Sequence, residues 1–190
     1  MPIDETGLLL SPLVRRTWAP KGQTPVVGGD GGHREKVSVI GAVSVSPAAR
    51  RLGLYVSALP GGYFNAEAVV GFLRGLPKHL RGQVVVVWDG GGNHKGPAVR
   101  AFLRGNKRLT LERLPPCAPM LNPVEQVWSW SKYGQLANHV PDDVPASDDE
   151  VTERLVDLED DPALLRRPWA GSDLPFPGRA KRQGSQPADQ

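Results

Sequence analysis

Three acidic residues stand in surroundings suited to chemistry. Asp89 follows four valines and a tryptophan (Val84 to Trp88) and precedes Gly90, Gly91, Gly92, Asn93, His94 and Lys95. An apolar strand is a rigid mount, and in open α/β sheets functional groups gather beyond the carboxyl ends of strands. The glycines let a bulky ligand approach the backbone, and His94 and Lys95 supply donors close by. Taken alone, Asp89 fits a turn-capping aspartate as well. Glu125 stands in LNPVEQVW. There Asn122 suits an N-cap, Pro123 the first helical position, and Glu125 the third, where its carboxylate closes a capping box, faces a ligand, or does both. Trp128 and Lys132 follow on the same helical face, which then carries an acid, a ring and a cation, although such a tryptophan is more often core. Asp4 lies in MPIDETGLLL. In a strand its neighbour Glu5 points to the opposite face, so only one of the two joins Asp89.

Three carboxylates from separate segments suit hard, oxygen-seeking cations such as Mg²⁺ or Mn²⁺. Two such ions about 4 Å apart activate a nucleophile and steady the leaving oxygen in phosphodiester chemistry. The charge distribution agrees with a polyanionic partner: residues 1–137 carry a formal +9 and residues 138–190 a formal −6. Basic side chains attract nucleic-acid phosphates by counterion release, although a merely solvated basic surface has the same composition. Other chemistries fit less well. The glycine-rich stretches lack the G-K-[ST] ending of a phosphate loop, and His33, His79, His94 and His139 show no zinc spacing. Cys117 is the single cysteine, so no internal disulfide forms and a reducing, cytoplasmic setting is expected. No apolar run approaches the roughly 18 residues of a membrane span.

The elements that must position these groups can be read from periodicity. A strand is expected at Met1 to Leu10, a turn at Ser11 and Pro12, and a second strand near Arg15 to Ala19 that ends at PKGQTP. Valine-rich alternation predicts antiparallel strands over Lys36 to Ser46 and Arg51 to Leu59. Asn65 to Leu80 carries a helical stripe capped by Asn65. Val84 to Trp88 reads as a strand buried on both faces. A helix over Pro97 to Arg104, a strand over Leu109 to Leu114 and a helix over Asn122 to Asn138 complete a mixed α/β sheet covered by helices. HVPDDVPASDDE reads as a linker, Val151 to Leu158 as a short acidic helix, and Arg179 to Gln190 as a disordered tail.

Together, DETGLLLSPLVRRTWAPKGQTPVV, VVVVWDGGGNHKGPAVRAFL and LPPCAPMLNPVEQVWSWSK resemble the catalytic domain of a DDE transposase from the bacterial insertion-sequence branch of the mariner superfamily. The 35 residues between Asp89 and Glu125 match the short spacing of that superfamily. The resemblance covers roughly residues 3–137. It implies a ribonuclease H-like mixed sheet flanked by helices, with Asp4 on the first strand, Asp89 after the fourth and Glu125 on a following helix. These three would be the catalytic metal ligands, holding two Mg²⁺ or Mn²⁺ ions. The implied reaction is cleavage at element ends by water, then attack of the freed 3′-hydroxyl on target DNA. The implied partners are double-stranded DNA, a second copy of the chain and an upstream helix-turn-helix segment, in a cytoplasmic, nucleoid-associated setting. His94, Lys95, Asn122, Trp128, Lys132 and Lys21 are expected as DNA-binding or supporting residues. Trp18, Lys21 and Gln23 form a hairpin signature.

Two departures from the family pattern stand out. Only Met1, Pro2 and Ile3 precede Asp4, and Gly90 stands where the family commonly has Asn. The expectation is therefore a truncated first strand, from a shortened copy or the downstream half of a split reading frame. The expected organisation is a catalytic domain over 1–140, an acidic linker and short helical extension over 141–178, and a tail over 179–190. Two alternatives remain open: an inactive DNA-binding or oligomerisation remnant, and a stand-alone ribonuclease H-like nuclease.

Overall fold

The computed structural model describes residues 1–11, 13–28, 35–46 and 51–176. The tail predicted over 179–190, and Pro12 of the predicted turn, lie outside these residues. Among the described residues, β1 (Ile3–Leu9), β2 (Lys36–Ser46) and β3 (Arg51–Pro60) form an antiparallel sheet in the order β1-β2-β3. After α1 (Ala66–His79) come β4 (Val84–Trp88), α2 (Pro97–Gly105) and β5 (Leu109–Arg113), with β4 and β5 paired in parallel. The two sheets meet at a parallel bridge between Pro2 and Val87, where the Val87 N–H donates to the Met1 carbonyl at 2.8 Å. The composite order is 3-2-1-4-5, a mixed sheet as expected.

β2 is buried along most of its length, and its alternation divides the core. Val37, Val39 and Val43 pack with Leu8 and Leu54 against Val127 and Trp128 of α3 (Pro123–Trp130), and against α4 (Val144–Asp160) and α5 (Pro162–Ala170). Ile40 and Ala42 pack on the other face with Ile3, Trp88, and Leu73 and Val99 of α1 and α2. In register, Asp4 stands opposite Gly41 and Glu5 opposite Ile40. Directly opposed residues share a face, so Asp4 belongs to the α3 side and Glu5 to the α1 side.

Several expectations need correction. Residues 14–20 form no strand, and none of the described residues pairs with them in a ladder. Instead Leu13 bridges Ala137, Arg15 is held by the Asn138 side chain and the Tyr133 carbonyl, and Trp18 beyond them is fully exposed. β4 is buried on one face through Val84, Val86 and Trp88, while Val85 is 47% exposed, since the α3–α5 layer covers β1 to β3 and stops short of β4. The predicted helix over Asn122 to Asn138 is α-helical through Trp130 and then widens into a π turn at Ser131–Gln135.

The predicted linker is mostly helix. Asp143 caps α4 by accepting from the Ala146 N–H at 2.8 Å, and Pro145 is tolerated in the first turn, so the Pro- and Asp-rich composition marks a helix start. α4 and α5 then bury Val151, Leu155, Leu158, Leu165 and Trp169 against the sheet. Each fully buried aliphatic side chain contributes about 1.5–3 kcal/mol, which explains why so acidic a segment docks.

Candidate active site

β4 delivers Asp89 to the end of the sheet, and the following loop folds back over it. The Asp89 Oδ1 accepts from the Gly91 N–H at 2.8 Å and lies 2.9 Å from His94 Nδ1, close but out of line for a full hydrogen bond. The His94 ring is stacked on Trp88 with centroids 4.4 Å apart and planes within 1°. Its other nitrogen, Nε2, meets the Glu5 carboxylate at 2.8 and 3.0 Å, and Asn93 Nδ2 donates to Glu5 Oε1 at 3.1 Å. Glu5 does sit on the α1 face, yet it reaches Asp89 through His94. The expectation that only one of the two β1 acids joins Asp89 is thus corrected: both do, from opposite faces, because the glycine loop wraps around the strand end.

α3 delivers Glu125 from the other side. Asn122 Oδ1 accepts from the Val124 N–H at 3.2 Å, and Asn122 Nδ2 donates to the Ile3 carbonyl at 3.4 Å. One buried amide thus starts the helix and ties it to the residue before Asp4. The capping box does not form, since the Asn122 N–H already donates to the Pro119 carbonyl at 2.9 Å. The Glu125 carboxylate is therefore left for the cleft. Trp128, one turn on, is 3% exposed, and its ring lies over Gly41, where a Cβ would fall 2.6 Å from its Cη2. Gly41 is the cross-strand partner of Asp4, so this contact sets how closely α3 approaches the strand pair. Trp128 is accordingly buried support beneath the site.

Asp4, Asp89, Glu125 and Asn122 line one cleft of about 220 Å³, walled by Gly90 and by Leu114 to Pro119. Within that wall the exposed Cys117 adopts a left-handed φ of 57°. Burial, then the charge of Glu125, push the Asp4 carboxyl up to about 8; Glu5 and Asp89 add to this, against the opposing hydrogen bond from the Glu5 N–H. Burial holds the Lys132 ammonium below its ordinary range, although Glu125 and Asp4 favour its charge. Burial pulls His94 down, but Glu5 and Asp89 more than offset this and raise it above its ordinary value.

Excess negative charge on oxygen-only donors fits divalent cations in kind and in charge. As the side chains stand, no three His, Cys, Asp or Glu among the described residues form a closed ligand set. Asp89, with Oδ1 turned to Gly91 and His94, contributes to that openness.

The structure thus gathers Asp4, Asp89, Glu125 and Asn122 at one cleft, with His94 and Lys132 acting on it and Lys95 Nζ beside Gly90. Lys21, Trp18 and Gln23 lie on the exposed segment after β1, and none lines the cleft. Sequence reasoning missed Glu5 as a site residue. The available signals were its adjacency to Asp4 and an otherwise unpartnered His94 after a glycine loop.

Residues 1–146 match the family described as DDE superfamily endonuclease. Among solved structures, the chain is similar to a Mos1 transposase paired-end complex with left transposon end, at 20% identity and a TM-score of 0.58, covering 92% of this chain and 55% of that one. It is also similar to the Mos1 mariner paired end complex with Mn, at 22% identity and a TM-score of 0.61, covering 88% and 50%. The catalytic domain of Mos1 mariner transposase gives 17% identity and a TM-score of 0.56, covering 88% and 73%. No curated protein matches. The chain spans about half the length of the first two transposase chains. These likenesses show the fold, which is the ribonuclease H-like mixed sheet expected above. The family match extends across every strand and all three cleft carboxylates, and the chain belongs to the DDE superfamily endonucleases.

Proposed function

We propose that the chain is the catalytic part of a DNA transposase, cutting DNA at element ends with water and joining the freed 3′-hydroxyl to target DNA. The observation that carries this reading is the convergence of Asp4, Asp89 and Glu125, from three separate elements, on one cleft. These three would hold two Mg²⁺ or Mn²⁺ ions, which when bound supply an activated water and charge neutralisation at the leaving oxygen. The chain's own contribution is positional. β1 and β4 hold Asp4 and Asp89, Asn122 fixes the α3 start relative to Ile3, and the Trp128 ring on Gly41 sets the approach of Glu125. Lys132 and Lys95 place cations beside the carboxylates, suited to phosphates entering the cleft. Double-stranded DNA, a second copy of the chain and an upstream helix-turn-helix segment belong to the same proposal, as does nucleoid association. Among the described residues no helix is long and apolar enough to cross a membrane.

The test is Mg²⁺-dependent nicking of a plasmid bearing the DNA that flanks the gene. Asp4→Asn, Asp89→Asn and Glu125→Gln each abolish nicking if the reading holds. Nicking that survives Asp89→Asn refutes the site.

A further inference from the structure

We propose that Glu5 is a positioning residue of the cleft, holding the Asp89 carboxylate in place through the His94 ring. The inference rests on the metal-binding reading above. Glu5 is partly buried, and its carboxylate takes Nε2 of His94 and Nδ2 of Asn93, both from the loop that follows Asp89. The His94 side chain is 2% exposed, so it is closed off from a ligand in solution. Its plane is set by stacking on Trp88, the residue immediately before Asp89, and its Nδ1 lies against Asp89 Oδ1.

Gly91 shows how tightly this arrangement is fitted. A Cβ there would stand 2.8 Å from Asn93 Oδ1, 3.1 Å from Asp89 Oδ1 and 3.3 Å from His94 Nδ1. The loop therefore closes over three polar groups at once, leaving no room for a side chain. A plain fastener between β1 and this loop needs only the Glu5 contact. The second ring nitrogen, turned to Asp89, makes the fastener an aiming device. Carboxylate–histidine pairs behind metal ligands act in this way, and their loss typically costs about 10–100-fold in metal affinity.

The experiment is Mn²⁺ binding to the full chain, followed by electron paramagnetic resonance beside thermal melts. Glu5→Ala weakens Mn²⁺ binding by about 10–100-fold, and Glu5→Gln, whose side-chain amide can donate to Nε2 and leave Nδ1–H facing Asp89, recovers most of it. Leu158→Ala, a core truncation in α4 on the opposite face of the sheet from the loop, lowers the melting temperature and leaves Mn²⁺ affinity unchanged. Should Glu5→Ala fail to fold, Glu5→Asp replaces it: the charge is kept, the reach is shortened, and affinity still falls. Binding within twofold of wild type in Glu5→Ala (or Glu5→Asp), while Asp89→Asn abolishes it, overturns this inference alone. Binding that ignores Asp89→Asn overturns the metal site and this inference with it.

Discussion

Gly41→Ala tests how α3 is held over the sheet. The added Cβ would fall 2.6 Å from Trp128 Cη2 and 3.0 Å from Cζ2, against an ordinary carbon contact of about 3.5–4.0 Å. The ring is buried between β2 and the α3 layer and cannot swing into solvent, so the overlap is relieved mainly by lifting α3. Overpacking of this kind costs about 1–3 kcal/mol. Removing a strand glycine returns about 0.5–1 kcal/mol. The net expectation is a loss of up to about 2.5 kcal/mol, a fall in melting temperature of up to roughly 10 °C for a chain of this size. Activity falls further, because α3 also carries Glu125 and a displacement near 1 Å can cost about 100-fold. Thermal melts and plasmid nicking measure both. In a Trp128→Phe background the smaller ring clears the new methyl, and the two substitutions couple by about 0.5–3 kcal/mol. An equal Gly41→Ala penalty in both backgrounds, or a raised melting temperature, refutes the reasoning.

Asp4 gives a pH signature in protein freed of divalent ions. Its carboxyl ionises near 8 in the fold against 3.8 ordinarily, so the unfolded chain releases this proton first and stability falls as pH rises from about 4 to about 8. Asp4→Asn removes that slope in urea titrations; an unchanged slope assigns it elsewhere. Asn122→Asp keeps the cap acceptor but loses the donor to the Ile3 carbonyl, and costs about 1–3 kcal/mol in thermal melts. A wild-type melt would show that tie to be idle. Cys117 is exposed on the cleft wall, so a bulky maleimide there blocks nicking while unlabelled Cys117→Ser nicks normally. Full activity after labelling would place the DNA path elsewhere.

Local patterns made most of the fold legible. Val84 to Trp88 is a short β-branched run that ends at Asp89, and Asn122-Pro123 is a helix start that locates Glu125 without any tertiary information. What stayed hidden was set by partners distant in the chain. Arg15 to Ala19 has strand-like composition but no strand partner among the described residues. Asp142 to Glu150 has linker composition, yet Asp143 caps a helix whose apolar stripe is recognised only by the sheet it covers. Glu5 faces away from Asp4, as alternation requires, and its link to Asp89 depends on a loop 88 or more residues on. Gly41 needs its missing side chain only because Trp128 arrives from another element.

The junction between the two sheets has a mechanical meaning. β1 and β4 are joined along Met1 and Pro2, with Met1 N donating to the Val85 carbonyl at 2.7 Å and Val87 N to the Met1 carbonyl. The sheet is therefore two leaves on a short spine, with Asp4 on one leaf and Asp89 on the other. The opening angle at that spine sets the span between the carboxylates. The Glu5–His94 contact ties one leaf to the other beside the spine, like a stitch near the binding of a book.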